Sequence, residues 1–93
     1  MIQDFRCKET EKIWNGKSSR RFPAGIQRAA LRKLIQPSSA ETVNNMRVPP
    51  SNRLEALKGS RAGQHSIRIN DQWRICFVWK EGHAREVEIV DYH

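Results

Sequence analysis

Ninety-three residues supply one domain, residues 1–93, with room for a single modest core. At 38% hydrophobic and 29% charged the chain is neither disordered nor fibrous, and its longest strongly apolar run, Ile75-Cys76-Phe77-Val78-Trp79, is far too short to cross a membrane. The formal net charge of +7 concentrates in residues 17–74, where twelve basic side chains face three acidic ones, so nucleic acid or a ribonucleoprotein is the expected partner.

Met1 to Cys7 lacks the apolar run of a secretory signal, and Cys7 and Cys76 lie too far apart to read as a disulfide framework. A cytoplasmic chain with reduced thiols is expected. Ile2 to Cys7 reads as a short edge strand, and Thr10 to Asn15 as a short helix closed by Gly16. Phe22, Ile26, Ala30 and Leu34 then recur every four residues, with Gln27, Arg28 and Arg32 off that stripe. The pattern predicts an amphipathic helix from Pro23, ended by Pro37. Ser38 and Glu41 have capping-box spacing and predict a third short helix to about Met46.

Pro49-Pro50-Ser51-Asn52 punctuates the chain, helical before and strand-like after. Asn52 to Gly63 reads as a flexible loop carrying Arg53, Lys58 and Arg61. Period-two alternation follows: His65-Ile67-Ile69, then Trp73-Ile75-Phe77-Trp79, then Val87 and Ile89 in a last strand reaching Tyr92. The turns fall at Asn70-Asp71-Gln72 and at Lys80 to His83, with His83 in solvent. Trp73, Trp79 and His65 are expected to pack on the apolar face, while Trp14 suits either core or surface. An antiparallel meander with helices over that face makes the fold α+β.

Alternation also fixes register, since a one-residue slip would turn each apolar set into water. Ile67 is expected opposite Ile75, and Arg68 opposite Arg74 on the other face. Val87 and Ile89 should face Phe77 and Ile75, with Val90 opposite Arg74. Like charges directly opposite are unfavourable. Either Arg68 and Arg74 share an anion such as phosphate, or Glu86 or Glu88 neutralises them. Parity alone leaves both open.

The chain has no phosphate-cradling glycine motif and no nucleophile elbow. Its histidines and cysteines show no metal-ligand spacing, so neither metal nor cofactor is expected. Asp91-Tyr92-His93 offers a carboxylate, a phenol and an imidazole at the rim of the sheet. Histidine suits proton transfer near neutrality, but composition leaves this triplet open between chemistry and an inert terminus.

Several segments in order resemble a known family: Leu57-Lys58-Gly59-Ser60-Arg61-Ala62-Gly63, Ser66-Ile67-Arg68-Ile69, Trp73-Arg74-Ile75-Cys76-Phe77 and Asp91-Tyr92-His93. Together they look like the HigB-type toxins of bacterial toxin–antitoxin systems, in the RelE/ParE superfamily, and most like the GraT-like branch. The resemblance implies a small domain with N-terminal helices on a curved antiparallel sheet. It implies a ribosome-dependent mRNA endoribonuclease that inhibits translation through metal-independent attack of a ribose 2′-hydroxyl on the adjacent phosphate. Asp91, Tyr92 and His93 match the family's catalytic end, and Lys58 and Arg74 its basic positions. His93 would take an acid–base role, Tyr92 would orient or donate, and Asp91 would position one of them. Arg53, Arg61 and Arg68 would hold RNA. Glu55 stands where some HigB toxins carry histidine; a glutamate needs raised proton affinity to act as a base, and its neighbours Lys58 and Arg53 are expected to have the opposite effect. The implied partners are a helix-turn-helix HigA-like antitoxin, the ribosome with its mRNA, and operator DNA through the antitoxin. Two other functions suit the same charge: ParE-like inhibition of DNA gyrase, and non-enzymatic binding to RNA or the ribosome.

Overall fold

Alternation in the second half builds the expected sheet. The computed structural model describes residues 1–91. In chain order it contains helices α1 (Lys8–Trp14) and α2 (Ala24–Ser39), 3₁₀ turns at Val43–Arg47 and Pro50–Asn52, strand β1 (Glu55–Ala56), a 3₁₀ turn at Gly59–Arg61, and strands β2 (Gln64–Arg68), β3 (Trp73–Lys80) and β4 (His83–Asp91). The strands pair antiparallel in the order β1-β2-β3-β4. Ile67, Ile75, Phe77, Val87 and Ile89 from the sheet meet Ile13, Ile26, Ala30 and Leu34 from the helices in one core, so the fold is α+β as expected. Trp14, Trp73 and Trp79 pack at its margin.

The register follows parity at one end of the sheet. Ile67 pairs with Ile75, Arg68 with Arg74, Ile75 with Ile89 and Arg74 with Val90. It departs at Phe77. Cys76 pairs with Glu88 but Val78 with Arg85, so Glu86 and Val87 together oppose Phe77. Glu86 takes φ 51, the left-handed conformation that absorbs the extra residue of a β-bulge. The bulge switches parity, and Ala84 and Val87, three positions apart, are both fully buried.

The bulge also changes the N-terminal segment. The expected strand from Ile2 to Cys7 reduces to two isolated parallel bridges, Ile2 to Ala84 and Phe5 to Val87. Between them Glu86 is out of extended geometry and cannot continue a ladder. Past Val87 the outer edge of β4 passes to α1, where Thr10 Oγ1 accepts the Ile89 N–H at 2.9 Å. The chain's own N-terminal residues thus cover an edge that would otherwise recruit foreign strands.

Helix α1 ends as Gly16 predicts. The Gly16 N–H donates to Ile13 and the Lys17 N–H to Lys12, with Gly16 at φ 80, which is the Schellman pattern. Helix α2 does not stop at Pro37 but runs on to Ser39. A proline in the last turn deletes only one donor. Its ring is buried, and the turn beyond it closes through Ala40 N–H to Gln36 and Ser39 Oγ to Ile35. Ser38 is therefore helical and caps nothing. The next turn is the 3₁₀ segment Val43–Arg47, entered where Asn45 Oδ1 accepts the Glu41 and Thr42 N–H groups at 3.0 and 2.9 Å.

At the β3–β4 hairpin Glu81 and Gly82 both have positive φ, as a tight two-residue turn of this twist requires. His83 is consequently not in solvent. It opens β4 opposite Lys80 and is half-buried.

Thr10→Val keeps side-chain shape but leaves the buried Ile89 N–H without an acceptor. We expect it to destabilise the fold by about 1–3 kcal/mol in urea titration, against almost no change for the exposed Glu11→Gln.

Candidate active site

The sheet face turned away from the helices carries a cross-strand row, one residue per strand. Glu55 pairs with Ser66, Ser66 with Cys76, and Cys76 with Glu88. The row has a carboxylate at each end and two fully buried small residues between them. Each end holds an arginine.

At the Glu55 end, Arg74 is only 8% exposed. Its Nε donates to Ser66 Oγ at 2.8 Å, and its Nη2 to the Arg53 carbonyl at 2.6 Å and to the Ser66 carbonyl at 3.4 Å. Glu55 Oε1 stands 3.6 Å from the same nitrogen. A guanidinium this deep requires such partners, because a desolvated unpaired cation is costly. At the Glu88 end, Arg61 donates to Glu88 Oε1 at 2.9 Å and to Gln64 Oε1 at 3.0 Å, and Arg6 approaches Glu88 Oε2 at 3.5 Å. The bond to Glu88 raises the Arg61 pKa above its usual value. Burial pushes the Cys76 thiol up, so between these arginines it stays a protonated packing group rather than a nucleophile.

The segment expected to be a loose loop is therefore built. It contains β1 and the 3₁₀ turn Gly59–Arg61, and it walls a cavity of about 420 Å³ lined by Glu55, Ala56, Leu57, Lys58 and Arg61. Lys58 and Arg53 are exposed at this end. Arg61 also borders a second cavity of about 350 Å³ that reaches Arg21, Trp73 and Asp91.

Five expected site residues thus converge: Arg74, Glu55, Lys58, Arg61 and the backbone of Arg53. Arg68 does not join them. It lies opposite Arg74 as expected, yet it is ion-paired to Asp71 in its own turn. Both arginines of the pair are neutralised by carboxylates, but by Asp71 and Glu55. Glu88 serves Arg61 and Arg6 instead, and Glu86 is exposed in the bulge. Asp91 pairs with Trp73 at the rim, on the parity of Ile89 rather than that of Arg74, and accepts from Gln72 Nε2 at 3.1 Å. Tyr92 and His93 lie outside the described residues.

Three contributors went unread in the sequence: Ser66, Arg6 and Asn52. Ser66 alternates with Arg68, which already placed it on the polar face. Arg6 and Asn52 gave no signal, because only folding brings Arg6 to Glu88 and buries Asn52 against helix α2, one residue before Arg53.

A family model described as the RelE-like toxin HigB of type II toxin–antitoxin systems matches residues 3–93. Toxin HigB-1 of Vibrio cholerae is 38% identical over 85 residues, 90% of each chain. An uncharacterized protein of Haemophilus influenzae is 29% identical over 72 residues, 77% of this chain and 71% of its own. Among solved structures, the YoeB–YefM complex from Staphylococcus aureus superposes with a TM-score of 0.62 at 17% identity, covering 100% of this chain and 98% of that one, a likeness of fold.

His65 underlies β1. It pairs with Ala56, and its ring stacks on Phe77 at 6.3 Å. Burial, with Arg47 nearby, lowers its pKa. A histidine held neutral in the fold protonates more readily when unfolded. Stability should be complete above about pH 6.5 and fall as pH drops below it. Urea titrations at pH 7.5 and 5.5 should show this loss in the native protein and a smaller one in His65→Phe.

Proposed function

This chain belongs to the HigB family of RelE-like toxins of type II toxin–antitoxin systems, and from that membership we propose that its polar sheet face cleaves mRNA on the ribosome. RelE-like toxins are ribonucleases, and an antitoxin partner goes with the family. The observation that carries the reading is Arg74. A guanidinium held at Nε and Nη2 by Ser66 and the Arg53 carbonyl, with Glu55 against it and exposed Lys58 lining the same cavity as Glu55, is a preorganised site for negative charge.

In the proposed reaction the 2′-oxygen loses its proton and attacks the adjacent phosphorus. The bond from phosphorus to the 5′-oxygen breaks, and that oxygen gains a proton, which yields a 2′,3′-cyclic phosphate and a free 5′-hydroxyl. Arg74 and Lys58 neutralise the developing phosphorane charge. His93 and Tyr92 carry the proton transfers, and Asp91 positions one of them from the rim. Glu55 orients Arg74, its Oε1 lying 3.6 Å from the guanidinium. Arg53, Arg61 and Arg68 steer RNA to this face, and the excess of positive charge speeds encounter with the ribosome. Operator DNA is reached through the helix-turn-helix antitoxin.

Primer extension on a message translated by purified ribosomes tests the reading, with naked RNA alongside. We expect cuts only on ribosome-bound message, reduced at least about 100-fold in Arg74→Ala and in His93→Ala. Co-sedimentation with ribosomes without any cuts would replace the nuclease with a binding module.

A further inference from the structure

Asn52 is fully buried, one of three polar side chains, with Thr10 and Ser66, that have no exposed surface among the described residues. Its amide is used on both sides. Nδ2 faces the Met46 carbonyl at 3.2 Å, the Val48 carbonyl at 3.4 Å and Gln36 Oε1 at 3.3 Å, sharing its two hydrogens among three acceptors. Oδ1 accepts from Lys33 Nζ at 2.6 Å. One side chain therefore ties α2, through Lys33 and Gln36, to both 3₁₀ turns and to Val48 between them.

The next residue is Arg53. It closes the turn Pro50–Asn52 with its N–H on the Pro50 carbonyl at 3.0 Å and takes the left-handed conformation, φ 46 and ψ 56. An arginine adopts this conformation at some cost, so the flanking structure must impose it. The consequence is the direction of the Arg53 carbonyl, which points at Arg74 Nη2 from 2.6 Å, the shortest of that guanidinium's described hydrogen bonds. A lone turn of three residues next to an exposed loop has little rigidity of its own. Its anchor is the buried amide one residue earlier.

We propose that Asn52 is a positioning residue for Arg74, acting through the Arg53 carbonyl to aim the guanidinium at the scissile phosphate. The inference rests on the reading of Arg74 given above. Asn52 touches neither RNA nor the reacting atoms. It sets the acceptor that, with the Ser66 carbonyl, holds Nη2, while the Ser66 hydroxyl holds Nε. Without it the arginine keeps its charge and loses its direction, and misplacement of a charge-stabilising group by about 1 Å costs on the order of 100-fold in rate.

The test compares Asn52→Ala, Arg74→Ala and the double variant in single-turnover cleavage on programmed ribosomes, with ribosome affinity measured in parallel. For folded Asn52→Ala we expect cleavage slowed about 100-fold and affinity within about 2-fold of native. In the Arg74→Ala background the Asn52 substitution should cost nothing further, since there is no guanidinium left to aim. A merely structural role predicts instead that the two losses multiply. Native cleavage by Asn52→Ala, or full multiplication, overturns the proposal. If Asn52→Ala fails to fold, Lys33→Met removes one of the four contacts. It should then slow cleavage about 5-fold with Arg74 present and not at all without it; native cleavage by Lys33→Met would overturn the proposal in that case. Native cleavage by Arg74→Ala would instead overturn the reading of the site itself, and the role of Asn52 with it.

Discussion

The buried guanidinium of Arg74 constrains the rest of this small fold. A permanent positive charge in the middle strand of a sheet is tolerated only where acceptors surround it. Ser66 comes from the neighbouring strand, Glu55 from the strand beyond, and the Arg53 carbonyl from the turn that precedes β1. These partners belong to segments with almost no regular structure. The two-residue strand β1 and the 3₁₀ turns beside it carry little apolar surface, and the polar contacts to Arg74 and Asn52 give them their definition.

The opposite end of the same row repeats the arrangement at lower burial. Glu88 gathers Arg61 from the loop and Arg6 from the N-terminal segment, so residues far apart in sequence meet over Cys76. A chain with +7 net charge places two of its few carboxylates where they order arginines rather than where they disperse repulsion. Exposed Lys58 lines a cavity of about 420 Å³ with Glu55 and Arg61, and Arg53 is exposed just before β1. In the proposed reaction, substrate charge arriving there meets the Arg74 guanidinium already held by its acceptors. That lowers the reorganisation a phosphorane-like transition state would demand.

The strands were legible because period-two alternation is a physical necessity for a sheet with one buried face. The helices were legible because Ile26, Ala30 and Leu34 mark one stripe. The facing of Arg68 and Arg74 followed from parity alone, without any contact being known. Parity failed at Glu86, since a bulge inserts one residue without leaving any mark in the apolar pattern, and Ala84 was missed for that reason. Pro37 misled because a proline's effect depends on how many turns follow it. The fate of the arginine pair was open because each found its carboxylate through a different fold element, Asp71 in a turn and Glu55 on a strand too short to announce itself.

Of the candidate site, the basic residues and the family resemblance were present in the sequence, as was the polar face that would carry them. What the sequence alone determined is therefore the α+β class, the two faces of the sheet and the side on which Arg74 lies, because these depend on local periodicity. Tertiary structure alone decided which acceptors meet each arginine. Hydrogen bonds such as Lys33 to Asn52 and Arg61 to Glu88 join residues 19 and 27 positions apart, and no local spacing encodes a contact that exists only once the core has brought helix, turn and strand together.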